Sequence, residues 1–173
     1  MNYQKAYVSL SGFKTDDKAL RCSVLYQISQ LEAECLLIEQ AQTTVEKCLA
    51  LASGDTLLSL KQRIMAKVRL MKKTGFFVEA LAELDTVEAD LSAYLQHHTE
   101  NSQAQRLLIK VFRERMQILA TVNRFSEAQE AYETIKVLEE SFASDEWSKF
   151  HTDYLQALYC KPQDQQRCID KLQ

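Results

Sequence analysis

The chain has 173 residues, a net charge of −3, 46% hydrophobic and 26% charged residues, and only 3 Gly and 1 Pro. Ordinary usage would supply about 20 Gly and Pro together. Sandwiches, hairpin-rich barrels and Gly-rich nucleotide-binding loops need them at their turns and are excluded. An all-helical chain is expected, long enough to bury about two thirds of its unfolded surface without a disulfide or metal.

The N-terminus lacks the apolar stretch of a signal peptide, and runs such as Cys35–Ile38 fall far short of the ~20 residues of a membrane span. Five cysteines, Cys22, Cys35, Cys48, Cys160 and Cys168, form no CxxC pair and read as reduced, small apolar side chains. A cytoplasmic setting is expected, with the nucleus left open. Residues 1–14 read either as a short helix (Tyr3, Tyr7, Leu10) or as an extended arm (Val8, Leu10). Helices are then expected over 16–28, 30–53, 56–74, 77–97, 102–122, 126–142, 145–160 and 162–172, the first two with nothing between them to force a break. Thr15, Asp55 or Thr56, Asn101 or Ser102, a Ser126–Gln129 capping box and the Ser144–Trp147 stretch mark helix starts. Pro162 suits a first turn. Apolar stripes follow the helical period: Leu31, Cys35, Ile38, Val45, Leu49 and Ala52; Leu57, Leu60, Ile64, Val68 and Met71; Leu81, Leu84, Val87, Leu91 and Leu95; Leu108, Phe112, Met116 and Leu119; Ala128, Tyr132, Ile135 and Leu138.

Two stretches align without gaps, Lys73–Ala80 and Thr121–Ala128. Each has Gly75 or Asn123 where a tight helix-to-helix turn wants a left-handed residue, then Phe77 or Phe125, then Glu-Ala, then Leu84 or Tyr132 four residues on. Here the chain resembles the tetratricopeptide-like superfamily, whose second helix opens on an aromatic and carries a key alanine. Glu32-Ala33, 47 residues before Ala80, and Arg167-Cys168 extend the comparison to four hairpins. The family period is about 34, so the likeness is to long-helix variants, such as those of bacterial regulators and peptide sensors. It implies one domain over 1–173, belonging by itself or to a larger protein, built of antiparallel helical hairpins stacked as an α-solenoid. A compact helical bundle is the alternative.

Catalytic and metal-binding patterns are scarce. His97 and His98 are adjacent and so point about 100° apart on a helix, which cannot chelate as an i, i+4 pair would. No HExxH, P-loop or GxSxG occurs. Trp147 and Tyr154 are expected in the core. No enzyme activity and no cofactor are expected.

Charge is more informative. Residues 61–73 carry Lys61, Arg63, Lys67, Arg69, Lys72 and Lys73 with no acid, and the following helix is acidic. The alternation recurs with Arg106, Lys110, Arg113 and Arg115 before Glu127, Glu130 and Glu133. The resemblance implies that first helices line a concave face, which places Gln62, Met65, Arg69, Lys72, Lys73, Lys110, Arg113 and Gln117 in a basic groove. Such a groove would take an acidic or phosphorylated peptide; the competing reading pairs these cations with the neighbouring acidic helix. The expected function is a protein–protein interaction scaffold. A peptide-sensing regulatory domain and a secretion-type chaperone are the alternatives. Self-association through the apolar end Cys168–Leu172 or the arm with Tyr3, Tyr7 and Phe13 is a further expectation. Negative net charge and the lack of a recognition-helix motif argue against nucleic acid.

Overall fold

A computed structural model describes residues 3–160. Every regular element among them is a helix: α1 (Tyr3–Ser11), α2 (Lys18–Glu34), α3 (Ile38–Ala52), α4 (Thr56–Gln62), α5 (Arg69–Thr74), α6 (Phe77–His97), α7 (Ser102–Thr121), α8 (Phe125–Ser141) and α9 (Glu146–Tyr159). A single π-helical turn, Arg63–Val68, joins α4 to α5 as one continuous rod. The bounds expected from sequence hold closely from residue 56 onward. The N-terminal arm resolves as helix, whereas the expected 162–172 helix, Pro162 and Arg167-Cys168 lie outside the described residues. No helix among them is long and apolar enough to cross a membrane.

Helix connections are of two kinds, and the α8–α9 connection combines both: ahead of its cap, Ala143 has φ 48° and the Ser144 N–H reaches back to the Glu139 carbonyl at 2.9 Å. At α2, α4, α7 and α9 the chain enters through a side-chain cap: Asp17, Asp55, Asn101 and Asp145 accept from the backbone N–H of Leu20, Leu58, Ala104 and Ser148 at 2.7–3.0 Å. Asp17, not Thr15, therefore caps α2; the Thr15 hydroxyl accepts from the Asp17 N–H. The other connections are tight corners. Gly75, Asn123 and Leu36 all have positive φ, 85°, 62° and 62°. In each, the next N–H reaches back five residues: Phe76 to Met71, Arg124 to Leu119 and Leu37 to Glu32, at 2.8–2.9 Å. The corner residue's own N–H bonds three residues back. This is the Schellman arrangement, which satisfies the last carbonyls of a helix without a side chain. The following helix then begins at once, through Ala80 to Phe76, Ala128 to Arg124 and Ala41 to Leu37, each N–H···O bond 3.0 Å. All three alanines are buried.

Two expectations change here. Ser126 is not a capping-box residue, since α8 starts at Phe125 and no side chain caps it. The counterpart of Ala80 and Ala128 in the first hairpin is Ala41, not Ala33, which lies in the last turn of α2. The break between the first two helices falls at Cys35–Leu37, where neither Gly nor Pro announces it. Leu36 holds its left-handed backbone with 82% of its surface exposed. A left-handed conformation costs an L-residue roughly 1–2 kcal/mol, and so exposed a side chain recovers little by packing. Leu36→Gly should therefore stabilise the chain by about 1 kcal/mol in urea unfolding; a loss of stability would mean that Leu36 makes contacts of its own.

The chain divides into two compact units, residues 1–87 and 88–173, the boundary falling within α6. The core of the first is built from small side chains, Cys22, Ala33, Ala41, Val45, Cys48, Ala52, Leu58, Ala66 and Leu70, with Leu25, Tyr26 and Ile38 packed around it. Alanine and cysteine let α2, α3 and the α4–α5 rod approach closely. Cys22 and Cys48 face each other from α2 and α3, each thiol reaching the other's carbonyl at 3.8 and 3.5 Å. Burial, then the charge and hydrogen bonding of Cys22, push the Cys48 pKa up to about 12. Cys35, expected in the apolar stripe, is exposed. In the α4–α5 rod, burial falls on every second residue from Leu58 to Leu70, so the rod is enclosed on more than one side. In the second unit α7 is the buried centre, with Leu108, Phe112, Met116 and Leu119 inward as expected. Trp147 and Tyr154, expected inside, are on the surface.

Candidate functional site

The cations of the α4–α5 rod divide between two neighbours. Arg63 and Lys67, in the π-helical turn, hold both carboxylate oxygens of Glu83 on α6 at 2.5 and 2.6 Å. Arg69 and Lys73, beyond it, face α2: an Arg69 N–H donates to the Tyr26 hydroxyl at 3.0 Å, and Lys73 pairs with Glu34. Glu34 and Lys73 occupy equivalent places two residues before the corners at Leu36 and Gly75, so their pairing sets these two corners side by side. Lys72 and Met65 are half-buried. Gln62 does not belong with them. It is 2% exposed, inside the core, with its Oε1 3.5 Å from the Cys48 thiol.

Burial alone would raise the pKa of Glu83, but the hydrogen bonds from Lys67 and Arg63 outweigh it and hold the carboxyl below its ordinary value. A carboxyl depressed on folding contributes stability at pH above its unfolded pKa and loses it as pH falls through the folded one. Glu83→Gln should therefore lower stability near neutral pH and flatten its decline in acid, read from urea midpoints between pH 7 and 3. An unchanged acid limb would mean that Glu83 is not the group that titrates there.

In the second unit Lys110 and Gln117 are half-buried on α7. Arg113, expected at a partner surface, instead turns into the unit. Its guanidinium donates to Thr152 Oγ1 (3.0 Å), Glu139 Oε1 (2.9 Å), and the carbonyl and hydroxyl oxygens of Ser148 (both 2.7 Å). Glu139 on α8 is fully buried and also accepts from the Thr152 hydroxyl at 2.5 Å. These contacts tie α7, α8 and α9 together, so Arg113 is a structural cation. Arg115 pairs with Glu88 at 2.6 Å and lies over the Phe112 ring. Lys136 and the Tyr132 hydroxyl both hold Asp153.

No protein-family model, curated protein or solved structure matches the chain.

The structure thus turns Arg69 and Lys73 toward α2, with Lys72 and Met65 half-buried on the same rod and Lys110 and Gln117 separately half-buried on α7. Tyr26 and Glu34, which orient two of the cations, were not singled out in the sequence; their signal would have been the first-hairpin counterpart of the later corners. His97 ends α6, and the His98 ring lies 4.4 Å from that of Tyr94. Among the described residues no group of His, Cys, Asp and Glu has the spacing to hold a metal ion.

Proposed function

We propose that the chain is a non-enzymatic protein-interaction module, a helical-hairpin scaffold of the tetratricopeptide-like kind. It would receive an acidic or phosphorylated peptide segment on the cationic surface of its first unit. The observation that carries this reading is the corner repeated at Leu36, Gly75 and Asn123, each leading straight into the next helix with a buried alanine five positions on. A hairpin leaves an apolar face that only a neighbour can cover, so a recurring hairpin is the unit of a scaffold rather than of an isolated catalytic pocket.

The surface has the chemistry for a carboxylate or phosphate. Tyr26 orients the Arg69 guanidinium. Lys72 and Lys73 stand in the last turn of α5, and Met65, about one turn before Arg69 on the same rod, offers an apolar anchor. Glu34, half-exposed at Lys73, already occupies the place a ligand carboxylate would take. Exchange of one such partly exposed pair for another costs little.

Fluorescence polarisation with an Asp/Glu-rich peptide and its phosphoserine counterpart tests the reading. Binding should weaken steeply with salt, and Arg69→Glu with Lys72→Glu should weaken it at least tenfold. Binding that is absent at low salt, or unchanged by both reversals, would overturn it.

A further inference from the structure

A run of exposed apolar side chains lies far in sequence from those cations, on α9. Trp147, Phe150, Tyr154 and Leu158 are 76%, 47%, 45% and 51% exposed. Spaced i, i+3, i+7 and i+11, they fall on one stripe about 16 Å long. The Trp147 and Phe150 rings stack, with centroids 5.8 Å apart. The opposite side of α9, with Thr152, Leu155 and Gln156, is buried within the second unit. The stripe is thus what remains after the helix has met its neighbours among the described residues.

We propose that this face joins two copies of the chain as a homodimer. Area is the first argument. Aromatic side chains present roughly 150–250 Å² each, so the exposed fractions leave on the order of 450 Å² of apolar surface per chain. That is the size of the largest apolar patch on a typical monomer, which is often an interaction site. With a polar rim it approaches the ~800 Å² per partner of a standard interface.

Self-complementarity is the second argument. Two such helices crossing antiparallel about a two-fold axis between Thr152 and Asp153 set the largest side chain, Trp147, against the partner's Leu158, and Phe150 and His151 against the partner's Tyr154. A two-fold contact demands this matching of one patch to itself. Charge does not oppose it. Lys149 is paired with Glu146, and Asp153 with Lys136, so neither sign accumulates beside the stripe.

Trp147 is the only tryptophan, so its fluorescence reads this surface directly. Sedimentation velocity across a hundredfold concentration range, with acrylamide quenching at each end, should show a monomer–dimer equilibrium and Trp147 protected only in the dimer. Leu158→Glu should raise the dimer dissociation constant at least tenfold while far-UV circular dichroism stays unchanged, and Tyr154→Lys should do the same independently. Three results would overturn the proposal: a chain monomeric throughout, a dimer indifferent to both substitutions, or Trp147 protected in the monomer. The last would assign the face to another segment of the same chain.

Discussion

Arg113→Met should destabilise the protein by about 3–5 kcal/mol, the cost of leaving a buried charge without its partner. Glu139 is 0% exposed, one of its oxygens makes no hydrogen bond, and the nearest other cation, Lys136, stands 3.9 Å from that oxygen. Without Arg113 the carboxylate would keep the Thr152 hydroxyl, a long 3.4 Å bond from the Ser148 hydroxyl and that distant ammonium, and the carbonyl of Ser148 would also lose its guanidinium donor. Urea unfolding checks the figure. The double variant Arg113→Met, Glu139→Leu should regain most of the loss, because an apolar pair of similar volume removes the desolvation cost with the charge. Arg124 offers the contrast: its pair with Glu127 lies on the surface, and Arg124→Ala should leave the midpoint unmoved. A loss below about 1 kcal/mol for Arg113→Met would place the pair with ordinary surface bridges.

The second large effect belongs to the corner alanines. Ala80 and Ala128 sit in the first turns of α6 and α8, 0% and 5% exposed, each N–H bonded back across the corner. A leucine there must displace the preceding helix or leave its rotamer, and overpacking of this kind costs about 1–3 kcal/mol. Ala80→Leu and Ala128→Leu should each lose that much, and Ala41→Leu should follow them if the three corners are one device. Ala89→Leu, on an exposed position of α6, should stay within about 0.5 kcal/mol. Losses confined to one corner would break the equivalence.

The fold was legible where the sequence carries residues whose backbone preference is strong. Gly75 and Asn123 tolerate the left-handed region, and Asp55 and Asn101 cap helices, so the elements from residue 56 onward could be placed. Leu36 has no such preference, and the first corner was hidden for that reason. The fixed distance from a left-handed residue to a buried Ala five positions on is the signal that would have found it. Hydrophobic period reads a helix buried on one face. It found Leu108, Phe112, Met116 and Leu119 of α7 but missed Leu107, Ile109, Val111 and Ile118, and it described only part of the α4–α5 rod, because both are covered on more than one side.

The candidate site was less legible, because a cation's sequence position does not say which neighbour it meets. Arg69 and Arg113 both belong to basic helices that lead into a corner. One meets a tyrosine hydroxyl of α2, the other a buried carboxylate of α8. Trp147 and Tyr154 misled for the converse reason: a large aromatic at helical spacing marks a face that wants covering, and the covering need not come from the same unit.

The repeated corner is tested most directly by backbone NMR. Chemical shifts of Leu36, Gly75 and Asn123 should report left-handed residues between helices, with the amides of Leu37, Phe76 and Arg124 protected from solvent exchange. Helical shifts running unbroken through residue 75 or 123, or rapid exchange of those three amides, would contradict the account.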